Sequence, residues 1–126
     1  MIRKAAIISI KGTSLSSLEM RLLKKEKPWG VILFKRNIIS FEQTKVLTKK
    51  IRRCLNDPFY PIIIDEEGGK VSRLSEIFST SEFSQHFFGK LYEKNKSKGR
   101  LIYKYYLETI CNILIDLGIN INTIPV

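Results

Sequence analysis

The amino-acid sequence predicts an α/β fold built on parallel strands. Three observations carry that expectation. Short apolar runs of β type alternate with segments of helical periodicity, an order that implies parallel strands joined by right-handed crossovers. Ile62-Ile63-Ile64 is apolar on every residue, as a strand covered on both faces must be. No repeat, low-complexity tract or Pro/Gly/Ser-rich linker divides the 126 residues, a length typical of one domain.

The elements follow in order. Residues 5–10 (AAIISI) form the first expected strand, closed by Gly12. Ser16 and Glu19 have capping-box spacing, in which each side chain satisfies an orphan amide at a helix start. The short helix they open holds Met20, Leu22 and Leu23 and stops before Pro28. Residues 31–34 (VILF) are the second strand. Ser40 and Gln43 form a second candidate box, and Phe41, Leu47, Ile51 and Leu55 recur at helical spacing. Asn56, Asp57 and Pro58 end that helix. Pro61 begins the third strand, and a polar, glycine-containing loop runs over residues 65–73. Residues 75–99 carry only weak helical fragments, around residues 83–92. A long helix follows, expected to turn Ile102, Tyr105, Ile110, Ile113, Leu114 and Leu117 inward, with Gly118 as its C′ residue. Residues 119–124, apolar alternating with Asn, start a fourth strand just before Pro125 and Val126. A parallel strand with no helix after it predicts that this sheet is part of a larger one.

Composition excludes several classes. Apolar residues make up 44% and charged residues 27%, which is ordinary for a folded domain and unlike disorder. The apolar run at residues 5–8 is far short of the ~20 residues that cross a bilayer. Met1-Ile2-Arg3-Lys4 resembles a signal n-region, yet Ser9 and Lys11 close the run too early for an h-region. Cys54 and Cys111 lack C-x-x-C spacing and are expected as reduced thiols of a cytoplasmic protein. The net charge is +10. Lys45, Lys49, Lys50, Arg52 and Arg53 have no acid among them, and residues 90–104 set six bases against one acid. Such clusters attract phosphate backbones or anionic surfaces. Without an aromatic platform or a nucleic-acid motif they are expected as solvated helix faces, and nucleic acid is not the expected partner.

In parallel α/β folds ligands meet the C-terminal ends of strands. The strongest candidate is therefore Ile62-Ile63-Ile64-Asp65-Glu66-Glu67-Gly68-Gly69-Lys70-Val71-Ser72-Arg73. Three successive acids need water, cations or a hydrogen-bonding ligand nearby. Gly68 and Gly69 permit positive φ and close backbone approach, and Arg73 offers a planar fork of donors. Two readings stay open on these grounds. One is a ligand-binding loop; the other is an acidic turn with Arg73 as internal counter-charge. A Walker B strand is excluded, because no G-x-x-x-x-G-K-[ST] loop accompanies it.

Gly30-Val31-Ile32-Leu33-Phe34-Lys35-Arg36-Asn37-Ile38, the Asp65-to-Leu74 segment, and Leu117-Gly118-Ile119-Asn120-Ile121-Asn122-Thr123-Ile124-Pro125-Val126 together resemble the N-terminal part of glycoside hydrolase family 3. The likeness is to its bacterial β-N-acetylhexosaminidases, which carry G-G-V-I-L-F-x-R-N, D-Q-E-G-G-R-V-x-R and L-G-I-N-x-N-x-x-P-V-L-D-V in that order. Gly12-Thr13-Ser14-Leu15 also resembles the family's G-T-x-L turn. The resemblance implies a partial (β/α)8 barrel of TIM type, about the first three and a half β/α units, with residues 1–126 as an N-terminal fragment of the catalytic domain. It implies hydrolysis of terminal β-linked N-acetylglucosamine from peptidoglycan fragments in cytoplasmic cell-wall recycling, with no metal or organic cofactor. It assigns substrate binding to Asp65 and Arg73. Glu66 stands where Gln is usual and is expected to add negative charge beside Asp65; Lys70 replaces Arg and loses the fork.

Such barrels need about 250 residues, and the family's K-H-F-P-G-H-G segment, acid/base His and nucleophilic Asp match nothing in the chain. His86, the only histidine, lies in S-Q-H-F-F and is expected in packing or at the surface. Trp29 is expected to pack beneath a barrel, Tyr103, Tyr105 and Tyr106 to form core and rim, and Arg36 and Asn37 to order a loop. No catalytic residue is assigned to this chain, which is expected to be inactive alone. The competing expectation is a non-catalytic module that self-associates or pairs with a separately encoded barrel remainder through an unpaired strand edge.

Overall fold

A computed structural model describes residues 2–124. In chain order it forms β1 (Lys4–Ser9), α1 (Ser17–Glu26), β2 (Pro28–Ile32), a 3-10 turn (Lys35–Asn37), α2 (Phe41–Leu55), β3 (Ile62–Ile64), α3 (Gln85–Lys94), α4 (Lys96–Leu117) and β4 (Ile121–Asn122). The strands make one parallel sheet in the order β1-β2-β3-β4. The α/β class and the parallel pairing agree with the sequence pattern. Met1, Pro125 and Val126, and with the last two the end of the expected fourth-strand motif, lie outside the described residues.

Capping chemistry sets the helix ends. At α1 both halves of the box form: Glu19 N–H donates to Ser16 Oγ at 3.2 Å, and Ser16 N–H to Glu19 Oε2 at 2.8 Å. At α2 only half forms. Gln43 N–H donates to Ser40 Oγ, but the Gln43 side chain does not return to Ser40. Its Oε1 accepts from Ile39 N–H at 2.9 Å, and its Nε2 donates to Thr13 O and Asn37 O at 2.7 and 3.1 Å. Gln43 thereby ties together the segments that follow β1 and β2. Gly118 closes α4 at φ 77°; a Cβ there would lie 2.7 Å from the Thr48 hydroxyl, which donates to Leu117 O at 2.7 Å.

Three expectations shift. β2 starts at Pro28 and ends at Ile32, because Lys27 ends α1 in the left-handed region and accepts from Lys4 N–H at 3.0 Å. Ladder bonding still continues to Leu33, whose N–H donates to Ile63 O at 2.8 Å. The weakly patterned stretch contains α3, capped by Ser84 Oγ accepting from Phe87 N–H. The N-terminal half of α4 packs on α3 through Phe83, Phe88, Tyr103 and Tyr106. Tyr106, not Tyr105, therefore faces inward; Ile102 and Tyr105 are 42% and 60% exposed. Cys54 and Cys111 are unpaired. No described helix is long and apolar enough to cross a membrane.

The two sheet faces differ. Val31, Leu33, Ile62 and Ile64, with Ile10, join Leu15, Leu23, Leu47, Ile51, Leu55, Ile110, Leu114 and Leu117 in one apolar core. On the other face the strand register aligns Ser9, Ile32, Ile63 and Ile121 in one row. Ile63 is 1% exposed yet lies outside that core. Ile7, next along this face, is half-exposed.

The buried side chain that ties the strand ends together is Asn37. Its Nδ2 donates to Ile10 O at 3.1 Å and Gly12 O at 2.8 Å, and its Oδ1 accepts from Phe34 N–H at 2.9 Å. Asn37→Ala strands buried partners and is expected to cost roughly 3 kcal/mol. Loss of the exposed Ser16 cap in Ser16→Ala should cost about 1 kcal/mol. Urea unfolding of the two variants checks the order; equal midpoints would contradict it.

Candidate functional site

The C-terminal ends of β1, β2 and β3 bring a small polar cluster together. Asp65 follows directly on β3, and Arg73 returns to it across the glycine loop. Arg73 Nε donates to Asp65 Oδ1 at 2.8 Å and Nη2 to Oδ2 at 2.7 Å, a bidentate pair of the strong, charge-assisted type. Both side chains keep about a quarter of their surface exposed. The Arg73 hydrogen bonds hold the Asp65 carboxyl below its usual range, against a desolvation that raises it. Each Asp65 oxygen retains acceptor capacity beyond Arg73, so the pair can still take hydroxyl donors.

Phe34 lies beneath two guanidinium groups. Arg36 Cζ is 4.7 Å and Arg73 Cζ 5.9 Å from its ring centroid, within reach of a cation–π attraction. Arg36 also donates to Ser9 Oγ at 3.0 Å. Arg36 is thus joined to the strand ends, and Asn37 is the buried tie described above. Phe34 escaped the sequence argument; its position as the last aromatic before Lys35-Arg36-Asn37 is the signal that marks it.

Glu66 turns its carboxylate into the loop and not toward the exposed side of Asp65. Its residue is 1% exposed, and its Oε2 accepts from Arg73 N–H at 2.6 Å, Leu74 N–H at 2.9 Å and Ser72 Oγ at 3.3 Å. Its Oε1 accepts from Thr80 Oγ1 at 3.1 Å. An unsatisfied buried carboxylate costs several kcal/mol; four donors offset that and clamp the loop. Glu66 can act as a clamp because consecutive residues leave the strand end in opposite directions. Asn122 adds to this: Glu66 N–H donates to its Oδ1 at 3.0 Å. Asn120 likewise accepts from Ile62 N–H at 2.8 Å, which accounts for the alternation of Asn with apolar residues.

Gly68 and Gly69 adopt φ of 78° and 63°, as their expected freedom allows. The close approach is to the chain itself. A Cβ on Gly68 would meet Tyr106 Oη at 2.5 Å and Phe83 O at 2.6 Å. Burial, with Glu66 as a smaller influence, pushes the Tyr106 phenol up to about 12. Lys70 and His86 are exposed, and Trp29 is 43% exposed where packing was expected. No group of three or more His, Cys, Asp and Glu side chains converges among the described residues.

The clamp and the pair separate experimentally. Glu66→Gln keeps an oxygen for the two backbone amides and should cost about 1 kcal/mol, whereas Glu66→Ala should cost roughly 3 kcal/mol. Because the Asp65 carboxyl is lowered in the fold, its contribution is present above the unfolded value, about 3.9, and fades as pH falls through the folded one. Asp65→Asn should therefore flatten the acid limb of stability measured below about pH 4; an unaltered limb would count against the pairing.

No protein-family profile matches the chain. A β-hexosaminidase of Thioalkalivibrio sulfidiphilus is 36% identical over 94 residues, covering 75% of this chain and 26% of that protein. The structure of NagZ from Neisseria gonorrhoeae in complex with N-trifluoroacetyl-D-glucosamine shares 25% identity at a TM-score of 0.83, over 98% of this chain and 35% of that one. A glycoside hydrolase family 3 β-N-acetylglucosaminidase from Paenibacillus sp. shares the fold at a TM-score of 0.66, with 23% identity over 94% of this chain and 22% of that one. The chain spans about a quarter to a third of the length of the curated relatives it matches. By these likenesses, and by the three motifs set along one parallel sheet, the chain is similar to the N-terminal part of the glycoside hydrolase family 3 β-hexosaminidases.

Proposed function

We propose that the chain forms part of a β-N-acetylhexosaminidase barrel, contributing about the first three and a half units of a (β/α)8 architecture. Its substrate is terminal β-linked N-acetylglucosamine on peptidoglycan fragments, recycled in the cytoplasm without a metal or organic cofactor. The single observation that supports this best is the part-exposed Asp65–Arg73 pair at the C-terminal end of a parallel strand. Vicinal hydroxyls of a pyranose match the spare acceptor positions of Asp65, and the Arg73 fork adds donors for ring substituents. The row Ser9, Ile32, Ile63 and Ile121, which lies outside the helix-covered core, supports the barrel, since closing the sheet would line its interior with this row.

Hydrolysis with retention needs a nucleophile and an acid/base group on either side of one bond, with carboxyl pairs about 5–5.5 Å apart. Asp65 is engaged with Arg73 and Glu66 is consumed by the loop. The chain by itself therefore holds a sugar ring without cleaving its bond. Purified chain should release no 4-nitrophenol from 4-nitrophenyl N-acetyl-β-D-glucosaminide, while N-acetylglucosamine shifts the amide resonances of the Asp65–Arg73 loop. Asp65→Asn should weaken that binding about tenfold, or 1.4 kcal/mol. Release that co-purifies with the chain refutes the non-catalytic assignment; unmoved loop amides refute the sugar site.

The exposed strand β1 and the half-exposed Ile7 favour a second reading: a non-catalytic module that pairs with a separately encoded remainder of the barrel. Unpaired strand edges template such association. Sedimentation of the chain with that remainder should give a stable heterodimer, and two independent boundaries would dismiss the module.

A further inference from the structure

The C-terminal end of α2 borders a cavity that the sugar site does not use. It precedes β3, at the opposite end of that strand from Asp65. The cavity measures about 380 Å³ and is lined by Lys49, Arg52, Arg53, Asn56, Asp57 and Pro58. Three of these six are cations. Asp57, the lone acid, is already paired with Arg3 and accepts from Phe59 N–H at 2.9 Å. Lys49 and Arg53 form no ion pair among the described residues.

Arg52 shows the same surplus of donors. Its Nη2 makes one long bond, 3.4 Å, to Tyr60 O, and its buried Nε has no acceptor. A buried donor left unmatched costs about 1–3 kcal/mol. Cations at a helix C-terminus ordinarily complement its open carbonyls. In α2 the backbone already does this: Asn56 N–H donates to the Arg52 and Arg53 carbonyls, and Asp57 N–H donates to Arg52 O at 3.1 Å. The side-chain N–H groups of Lys49, Arg52 and Arg53 are therefore not needed as donors to those carbonyls.

We propose that this cavity binds a compact phosphate-bearing anion of the pyrophosphate type. Arg52 supplies the planar fork that matches phosphate oxygens, and Lys49 and Arg53 neutralise the remaining charge. A nucleic-acid backbone fits less well. It is tracked by an extended basic groove with stacking platforms, whereas here three cations line one short recess and no aromatic side chain lines it.

Titration of the full chain with inorganic pyrophosphate at low ionic strength tests the site, by calorimetry and by amide shifts. Saturable binding centred on Asn56 and Asp57 is expected, tighter than for inorganic phosphate. The double variant Lys49→Gln/Arg53→Gln should weaken it at least about tenfold, 1.4 kcal/mol. Arg52→Lys, which keeps the charge and loses the fork, should weaken it several-fold. Absence of saturable binding, or binding indifferent to the double variant, overturns the proposal. So does a DNA duplex that binds more tightly than pyrophosphate and loses affinity equally on neutralising Lys94 and Lys98, because the basic surface then reads a polymer.

Discussion

Everything at the C-terminal edge of the sheet hangs on a carboxylate turned away from solvent. Glu66 collects two backbone amides and two hydroxyls from the stretch between Ser72 and Thr80. Those bonds return the chain to the strand it has just left, so that Arg73 meets Asp65 face to face. The order of causation runs from burial to function. The buried acid sets the loop, the loop sets the guanidinium, and the guanidinium sets the charge and orientation of Asp65. Asn122 extends the clamp to β4 by receiving the Glu66 amide. A pair of side chains with a quarter of their surface open to solvent is thereby positioned by groups that have almost none.

The sheet shows a second constraint. Its helix-covered face is a closed apolar core, while the row through Ile32, Ile63 and Ile121 lies outside that core. Parallel strands bury both faces as a rule. In this sheet one face is filled by its own helices and the other carries a row of isoleucines. The chain likewise spans only part of the length of the β-hexosaminidases it resembles.

Much of this was legible in the residues. Ile62-Ile63-Ile64 reads as a buried strand because no polar residue interrupts it, and it is one. Ser16 and Glu19 announce a box whose two bonds depend on neighbours alone. Where the outcome depended on distant partners, the pattern failed. Gln43 has the spacing of a box, yet its amide is drawn to Thr13 and Asn37. Tyr105 and Tyr106 are adjacent and equally apolar, and only the docking of α3 decides which one turns inward. At the site, Asp65 and Arg73 stood out as chemistry, but their pairing did not. The opposite fates of Asp65 and Glu66 follow from a strand end that sends neighbours to opposite sides. Phe34 went unnoticed because an aromatic inside an apolar run looks like core.

The bond from Thr48 to the Leu117 carbonyl joins residues 69 positions apart, and it carries a consequence for biosynthesis. During synthesis at about 5–20 residues per second, α1, α2 and the first three strands emerge well before α4 exists. Until that last long helix is translated, Leu47, Ile51 and Ile62 lack the covering supplied by Ile110, Leu114 and Leu117. For those seconds the apolar residues that α4 will cover have no partner from it, and the core closes only when the last long helix arrives.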